Sequence, residues 1–284
     1  MPALEPPLFH VDSTTGVDPF LKWPGGKRWL IRRGLNVPLL DEESTYFEPF
    51  LGAGSLFFAL QPRRASLSDV NPHLVACYRG LRSTTARVVR KLESLENEPQ
   101  TFERMRRSSP NNQLDRSIRF LYLNRTAYSG IYRENQLGNF NVPFGHYYDR
   151  RICNEMQLRR AAKALKSARL KVGDFRARMS EPKGGDFVYL DPPYISGHQN
   201  NGFVRYNRRL FNWDNQVELA EMATELVDRG VHVLISNAAH TEVLKLYKDF
   251  FVDIVIRKNQ ISRDPARRGL MEEAVISSYR GAVS

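Results

Sequence analysis

The sequence predicts an α/β fold built on a mostly parallel sheet, and three stretches carry that prediction. Residues 46–60 combine a short apolar strand, a turn with two glycines and an apolar helix, which is the order of a βα unit. Residues 187–190 form an apolar run that ends at two prolines, and residues 231–237 form another apolar run. Such runs, bounded by turn residues, are typical of strands that are buried on both faces of a parallel sheet.

The composition allows a large folded domain and favours an anionic partner. The 284 residues are 42% hydrophobic and carry a net charge of +11, which suits a polyanion such as nucleic acid. The two cysteines, Cys77 and Cys153, lie far apart and form no cluster with histidines, so we expect no metal site and a reducing, cytoplasmic location. No apolar run is long enough to span a membrane, and the N-terminus lacks the features of a signal peptide.

The N-terminal part begins with a polar, proline-containing stretch over residues 1–18, which we predict to be flexible. Residues 24–26 form a proline–glycine turn, and a helix is predicted to open at Lys27. Backbone amides at a helix start attract a carboxylate or a phosphate, and Lys27 adds a formal positive charge. A plain surface turn is the alternative interpretation.

The glycine turn of residues 50–54 indicates a cofactor without a pyrophosphate. The dinucleotide-binding pattern requires a third glycine three residues beyond Gly54, and Phe57 stands there. This argues against NAD and suits S-adenosylmethionine. The next predicted strand ends at Asp69, which is spaced to accept hydrogen bonds from ribose hydroxyls; a helix-capping turn residue is the alternative.

Asp191, Pro192 and Tyr194 follow the strand of residues 187–190, at the edge of the sheet where open α/β proteins bind ligands. Prolines have no N–H, so this bend offers only acceptors, namely a carboxylate and backbone carbonyls. Acceptors beside an aromatic ring suit a planar ligand with an exocyclic amino group. The alternative is a proline-rich turn that Asp191 caps.

Between the two halves of the predicted sheet, the sequence becomes helical and densely basic. Helices are predicted over residues 73–82, 85–95, 102–107, 114–127 and 155–164. A hairpin or extended loop over residues 130–145, with Tyr128, Arg133 and Asn139 at its margins, could contact base edges and phosphates. After the second half of the sheet begins, we predict a polar flap over residues 200–211, a helix over 215–229, and a terminal hairpin of 251–256 and 274–279 with a basic connection over 258–268.

Six stretches, taken in order, resemble the Dam family of adenine-specific DNA methyltransferases. They are FLKWPGGK (20–27), FEPFLGAG (47–54), SDVN (68–71), FNVPFG (140–145), DPPY (191–194) and ISN (235–237). The resemblance implies a Rossmann-like S-adenosylmethionine-dependent methyltransferase sheet with an inserted, mainly helical target-recognition domain. The corresponding division is a flexible N-terminus (1–18), a catalytic domain (19–70 and 168–284) and a DNA target-recognition domain (71–167).

The resemblance also implies roles for individual residues. The catalytic residues are Asp191, Pro192 and Tyr194. The residues that contact the cofactor are Trp23, Lys27, Phe50, Gly52, Gly54, Asp69 and Asp191. The residues that touch DNA are Lys22, Tyr128, Ser129, Ile131, Arg133 and Pro143.

The implied activity is transfer of a methyl group from S-adenosylmethionine to the adenine amino group in a short duplex sequence, after the base has been flipped out. GATC is the leading recognition sequence. Relatives that methylate GATC usually have Asn where this chain has Ser129, and only Asn can bind adenine with two hydrogen bonds. The expected partners are double-stranded DNA and, where the enzyme serves restriction, a cognate endonuclease; we expect a monomer.

Two other classes of function remain open at this point. An N-methyltransferase for RNA or a protein amide would share the cofactor residues, although Asn-Pro-Pro-Tyr would favour an amide. Asp191, the basic charge and the recognition-like insertion favour a base in duplex DNA. A catalytically silent DNA-binding protein is the other class, and the intact DPPY motif and glycine turn count against it.

Overall fold

The computed structural model describes residues 5–11, 16–194, 211–258 and 270–283. The strands within these ranges are β1 (Leu8–Val11), β2 (Leu35–Pro38), β3 (Tyr46–Glu48), β4 (Ala65–Asp69), β5 (Ala168–Val172), β6 (Phe187–Leu190), β7 (His232–Ala238), β8 (Phe251–Lys258) and β9 (Leu270–Ser277). The helices are α1 (Arg28–Arg33), α2 (Ser55–Leu60), α3 (Pro72–Glu93), α4 (Pro99–Arg107), α5 (Gln113–Thr126), α6 (Glu155–Ala164), α7 (Arg176–Met179), α8 (Trp213–Asp228) and α9 (Thr241–Leu246). Two short 3₁₀ turns cover Tyr128–Gly130 and Leu165–Ser167.

The central sheet has the strand order β5-β4-β3-β6-β7-β9-β8 among the described strands. The pairs β4–β5, β3–β6 and β6–β7 are parallel, while β9 runs antiparallel to both β7 and β8. The predicted α/β class with a mostly parallel sheet is therefore confirmed, and so is the predicted terminal hairpin. Strands β1 and β2 form a separate two-stranded sheet.

Strand β6 is buried at each of its four residues, as its apolar sequence predicts. Its neighbour β7 is buried from Val233 to Asn237. Complete burial of an aliphatic or aromatic side chain contributes about 1.5–3 kcal/mol, so the apolar stretches of these strands strongly stabilise the centre of the sheet. The two strands are parallel, with Leu190 opposite Ile235, so the residues that follow both of them emerge at the same edge.

The chain divides into two compact units. The first unit consists of Met1–His10, Arg33–Phe50 and Arg176–Ser284, and the second consists of Val11–Arg32 and Leu51–Phe175. The first unit contains β3, β6–β9 and α7–α9, and the second contains β4, β5 and α2–α6. The boundaries inferred from the sequence, with a recognition domain over 71–167, remain a prediction.

The helices of the second unit follow the predicted pattern with one difference. The structure joins the segments 73–82 and 85–95 into the single helix α3, with a kink where Thr84 has non-helical backbone angles. Helix α3 lies close to α5 at Gly80, since a Cβ there would be 2.9 Å from the Gln113 carbonyl oxygen. The apolar stripe of α5 is buried in the core; it comprises Ile118, Leu121 and Tyr122.

Three predicted segments differ from the described structure or lie outside it. Strand β1 lies inside the stretch 1–18 that we predicted to be flexible, and it forms because β2 pairs with it and the Leu39 N–H donates to the Pro7 carbonyl at 2.8 Å. The predicted flap, apart from Phe211, lies outside the described residues, and so does nearly all of the basic connection that we predicted between β8 and β9. In the described ranges, no helix combines the length and apolar character that crossing a bilayer requires.

Candidate active site

The glycine turn between β3 and α2 is held by hydrogen bonds within the second unit. Gly52 and Gly54 both have left-handed backbone angles, with φ of 46° and 65°. The Gly52 N–H donates to Asp69 Oδ2 at 3.1 Å, and its carbonyl accepts from the Tyr78 hydroxyl at 3.0 Å. Residues with a Cβ rarely adopt these backbone angles, so glycine suits both positions.

The side chain of Trp23 lies directly against this turn. A Cβ on Gly52 would be 3.0 Å from Trp23 Nε1 and 2.9 Å from its Cδ1, and the second distance is closer than a Cβ approaches other atoms in folded proteins. The indole also stacks on Phe120, with ring centroids 6.3 Å apart and an angle of 25° between the planes. The missing side chain at position 52 is therefore what allows the indole to contact the turn.

Asp69, at the end of β4, accepts hydrogen bonds from two backbone N–H groups, as the predicted alternative of a turn residue requires. Its Oδ1 accepts from the Asn71 N–H at 2.9 Å, and its Oδ2 accepts from Gly52. Burial raises the pKa of Asp69, and these two backbone N–H groups act in the opposite direction. A carboxylate has about four lone-pair positions, so further acceptor capacity remains after the two backbone bonds.

Lys27 lies immediately before α1, where the predicted helix begins. Its side chain is buried, with 4% exposure, and its Nζ donates to the Gly25 carbonyl at 2.7 Å. An ammonium group is thus anchored on the proline–glycine turn of the second unit.

The DPPY stretch of the first unit begins where β6 ends. Asp191 Oδ1 accepts a hydrogen bond from Ser236 Oγ on β7 at 2.8 Å. The Tyr189 hydroxyl lies 2.9 Å from the same Ser236 oxygen, and it is the donor because the Ser236 hydrogen goes to Asp191. Burial raises the pKa of Tyr189 well above its usual range, and the nearby Asp191 carboxylate raises it further, so the phenol stays protonated. Two hydroxyls thereby orient one oxygen of Asp191.

Tyr194, at the other end of the motif, is anchored by a buried ion pair. Its hydroxyl donates to Glu273 Oε2 at 2.7 Å. The second oxygen of Glu273 accepts from Arg257 Nε, and the Glu273 side chain is only 1% exposed. Burial raises the pKa of Tyr194 well above its usual range, with Asp191 and Glu273 adding to the effect, so Tyr194 remains a hydrogen-bond donor.

Pro192 and Phe50 complete the predicted residues of the first unit. Pro192 is buried. Neither Pro192 nor Pro193 has a backbone N–H, so neither can donate a hydrogen bond at this bend. Phe50 follows β3, and its ring meets Phe211 edge-on, with centroids 5.7 Å apart and an angle of 83°. Both residues lie beyond the carboxyl ends of parallel strands, which was predicted for Pro192.

The predicted DNA-contacting residues gather around the 3₁₀ turn Tyr128–Gly130. The Tyr128 N–H donates to the Pro143 carbonyl at 2.9 Å, and the Ile131 N–H donates to the Tyr128 carbonyl at 3.2 Å. Ser129 has a left-handed backbone, with φ of 55°. In the extended loop that follows, Arg133 Nε donates to Asn141 Oδ1 at 2.9 Å.

Lys22 joins this group although it lies about a hundred residues earlier in the chain. Its N–H donates to Asn124 Oδ1 at 2.9 Å, and its carbonyl accepts from Asn124 Nδ2 at 2.7 Å. The same Nδ2 donates to the Gly130 carbonyl at 2.9 Å. A Cβ on Gly130 would be 2.6 Å from the Lys22 Cβ, so the glycine lets the Lys22 side chain contact the turn.

The charge environment of Lys22 is unusual. Partial burial and the nearby Arg150 and Arg125 guanidinium groups together lower its pKa to about 8, and burial has the largest effect. Arg150 lies 3.9 Å from the centroid of the Tyr147 ring, and the Lys22 Nζ lies 5.7 Å from the same centroid. The Tyr147 hydroxyl also accepts from the Ser129 N–H at 3.2 Å.

The sequence missed several residues that orient the predicted ones. Ser236 was noted only as part of the ISN stretch, although its place at the end of the strand parallel to β6 could have indicated a contact with Asp191. Glu273 gave one signal, a second consecutive acidic residue beside an apolar run. Gln216 was also missed; it is buried and accepts from the Asn237 side-chain amide at 3.0 Å.

A mostly parallel sheet that ends in an antiparallel hairpin, with a glycine turn after β3 and an Asp-Pro-Pro-Tyr bend after β6, defines the Rossmann-like class of methyltransferases. The profile of the D12 class N6 adenine-specific DNA methyltransferase family matches residues 23–262. The chain belongs to this family.

The chain is similar to several characterised relatives over nearly its whole length. It is 31% identical to a type II methyltransferase of Lactococcus lactis subsp. cremoris, across 92% of this chain and 95% of that protein. It is 32% identical to a type II methyltransferase of Methanocaldococcus jannaschii, across 93% and 99% of the two chains. It is also 31% identical to the DNA adenine methylase of Escherichia coli strain K12, across 93% and 96%.

Proposed function

We propose that the chain methylates the exocyclic amino group of adenine in a short duplex DNA sequence, with S-adenosylmethionine as the methyl donor and with the adenine flipped out of the helix. The observation that carries this proposal is the Asp191 carboxylate at the end of β6, which Ser236 orients through one oxygen. The alternative of a catalytically silent DNA-binding protein gives no reason for such an oriented acceptor.

Asp191 and the Pro192 carbonyl are the acceptors for the two protons of the adenine amino group. Ser236 donates to Asp191 Oδ1 and so fixes the direction of a carboxylate whose two oxygens have about four lone-pair positions. Positive charge develops on the amino nitrogen during transfer, and a fixed carboxylate stabilises it. Tyr194 offers the aromatic face on which the base stacks, and stacking of this kind contributes about 1–3 kcal/mol per base.

The second unit fits the cofactor through its own residues. S-adenosylmethionine, when bound, supplies the sulfonium methyl group. Gly52 and Gly54 hold the turn in left-handed backbone angles, Asp69 has acceptor capacity left for ribose hydroxyls, and Lys27 carries a charge that suits a carboxylate. We assign Trp23 to the same role as an aromatic surface, and propose Phe50 of the first unit as a further cofactor contact.

The DNA-contacting residues are proposed to be Lys22, Tyr128, Ser129, Ile131, Arg133 and Pro143. Their support is the turn at residues 128–130, which Pro143 and Lys22 both contact. Ser129 occupies a left-handed position, a conformation that Asn adopts more readily than Ser. An Asn there would suit the backbone and would also reach further toward a base. GATC is the leading candidate for the recognition sequence, and Ser129 is the residue that departs from the pattern of relatives that methylate it.

The decisive experiment is a methylation map. Unmethylated plasmid is incubated with the enzyme and labelled S-adenosylmethionine, and modified adenines are located by sequencing, with Asp191→Ala as the inactive control. One short motif methylated at adenine is expected. Duplex binding without any incorporation would support the silent DNA-binding protein instead, and labelling of RNA or protein would support the other methyltransferase classes.

The same preparation tests the remaining proposals about partners. Sedimentation is expected to show a monomer in the absence of DNA. A methylation motif shared with a restriction endonuclease of the same cell would support a restriction partner, as the type II names of two relatives suggest.

Base readout is tested with Arg133. A guanidinium can bond two acceptors on a guanine edge, so Arg133→Ala is expected to relax the methylated motif at one position. Lower activity at an unchanged motif would make Arg133 a backbone contact and would transfer the search to Tyr128 and Ser129.

A further inference from the structure

We infer that Glu273 is a positioning residue for Tyr194: its carboxylate, held by Arg257, fixes the phenol and thereby the aromatic face that receives the target adenine. The inference rests on the proposed function, because it assumes that Tyr194 stacks on the flipped base. It assigns a role in base capture to the terminal hairpin, which lies far from the DPPY motif in sequence.

The geometry leaves Glu273 little freedom. It lies on β9, which pairs with β7 on one side and with β8 on the other. One carboxylate oxygen accepts from the Tyr194 hydroxyl at 2.7 Å, and the other accepts from Arg257 Nε. Because both oxygens have donors and the strand is paired on both sides, the hydroxyl of Tyr194 meets a rigid acceptor.

The energetics of the site argue that this carboxylate has a purpose beyond stability. Glu273 is 1% exposed and is followed by Ala274, Val275 and Ile276, all of them buried. Removing a carboxylate and a guanidinium from water costs free energy that their attraction only partly offsets, and apolar replacements of buried ion pairs are often neutral or stabilising. The pair joins β8 and β9, with 19% of the Arg257 side chain and 1% of the Glu273 side chain exposed, and is therefore better explained by what it orients.

The motif itself needs such an anchor. Pro192 and Pro193 donate no backbone hydrogen bond, so this stretch depends more on side-chain contacts to keep one conformation. Stacking on a base requires only an aromatic ring, whereas the hydroxyl of Tyr194 is required for the bond to Glu273. The pKa of Tyr194 is raised, so the hydroxyl keeps its proton and continues to donate.

The test is a double-mutant cycle with Tyr194→Phe and Glu273→Gln. Tyr194→Phe keeps the ring and removes the hydroxyl, and Glu273→Gln keeps the shape and removes the charge. Capture of the base is measured by the fluorescence of 2-aminopurine placed at the target adenine, and the rate by single-turnover methylation. Each variant is expected to reduce captured base about tenfold, the scale of one hydrogen bond to a charged group.

Three controls separate positioning from a general loss of structure. The double variant is expected to be no worse than Tyr194→Phe alone, because position 273 can accept nothing from residue 194 once the phenol hydroxyl is gone. Glu272→Gln changes the neighbouring exposed carboxylate and is expected to behave as the wild type. Cofactor affinity, measured by calorimetry, is expected to stay unchanged in every variant, and thermal unfolding monitors the fold.

The outcomes distinguish this inference from the proposed function. Suppose that the wild type captures the base but the effects of Tyr194→Phe and Glu273→Gln are independent and additive. Glu273 then does not act through Tyr194, and the inference is overturned. Should Glu273→Gln fail to fold, Tyr194→Phe alone still decides, since unchanged base capture would refute the role of the bond. Absence of both fluorescence change and methylation in the wild type would refute the proposed function itself.

Discussion

The glycine turn of the second unit and the DPPY stretch of the first are built in different ways. The turn is held by its own backbone and by near neighbours, since Gly52 bonds Asp69 and Tyr78, at separations of 17 and 26 residues. The DPPY stretch is held by side chains of later strands, since Asp191 bonds Ser236 at a separation of 45 residues and Tyr194 bonds Glu273 at 79.

Under the proposed function, this difference predicts which step each region controls. A turn whose shape depends on glycines and backbone bonds provides a fixed surface, so changes there should alter the affinity for the cofactor. A carboxylate and a phenol that are oriented by other side chains provide directed acceptors and a stacking face. Changes to those side chains should alter the rate of transfer while the cofactor affinity stays the same.

The largest effect is expected for Asp191→Ala, which removes the directed acceptor. Methyl transfer should fall by about a thousandfold or more, because fixed electrostatic groups in active sites contribute on this scale. Folding and duplex binding should remain close to wild type. Asp191→Asn keeps one acceptor and loses the charge, so its rate of methyl transfer should lie between those of the wild type and Asp191→Ala.

Single-turnover methylation and duplex titration measure these quantities separately. Residual transfer within about tenfold of the wild type would break the comparison, because Asp191 would then have no directed role in the chemistry.

A smaller effect, on cofactor affinity instead of the rate of transfer, is expected for Asp69→Ala. The loss of a hydrogen bond from a ribose hydroxyl to a carboxylate costs about 1.5–3 kcal/mol, so cofactor affinity should fall about tenfold to a hundredfold. Duplex affinity should change little.

Calorimetry with S-adenosylmethionine provides the measurement, and Asp69→Asn provides the matched control because it retains an acceptor for the Gly52 N–H. An unchanged cofactor affinity in the alanine variant would leave Asp69 as a turn residue alone.

Ser236→Ala tests the directing side chain itself. The variant leaves Asp191 in place and removes the donor that orients it, so transfer should slow about tenfold, the value of one hydrogen bond to a charged acceptor. Ser236→Thr retains a hydroxyl and should restore most of the rate, and cofactor affinity should be unaffected in both.

Ser66→Ala is the matched control for Ser236, since Ser66 is a buried strand serine whose hydroxyl has no partner among the described residues. Equal slowing in the two alanine variants would mean that loss of a buried hydroxyl, rather than loss of orientation, determines the effect.

The contrast between the regions also explains how far the sequence could predict the structure. The turn was predicted in detail, including Gly52, Gly54 and Asp69, because its requirements are local and appear as residue types at fixed spacing. The bend at Asp191 was predicted for the same reason. The supporting residues Ser236 and Glu273 come from strands whose neighbours depend on the order of the sheet, and one sequence does not specify that order.

The kink in α3 illustrates the same limit on a smaller scale. The segments on either side of Thr84 were predicted as two helices, because the periodic pattern is interrupted there. In the structure, hydrogen bonding continues across the interruption, and the Thr84 hydroxyl bonds to the Gly80 carbonyl at 2.8 Å. A local irregularity in sequence does not determine whether a helix ends or only bends.

The smallest expected effect concerns Lys22, and it tests the proposal that the second unit contacts DNA. The pKa of Lys22 is lowered to about 8 by burial and by the positive charges of Arg150 and Arg125, and Tyr147 also faces it. A phosphate or base acceptor at the ammonium would favour the charged form. The free protein would then take up a proton on binding DNA above pH 8, whereas below pH 8 the ammonium is already charged.

The sign of the pH dependence follows from this difference. Duplex affinity should be constant below about pH 7.5 and should fall as pH rises through 8, by roughly fivefold at pH 9, because the bound state holds more protons than the free state. Lys22→Arg should abolish the decline, since a guanidinium stays charged over this range. Arg150→Gln should move the decline to higher pH, because it removes one of the charges that lower the Lys22 pKa. Titrations at constant ionic strength measure all three, and a decline of the same size in Lys22→Arg would exclude Lys22 as its source and leave DNA recognition in the second unit to the turn at residues 128–130.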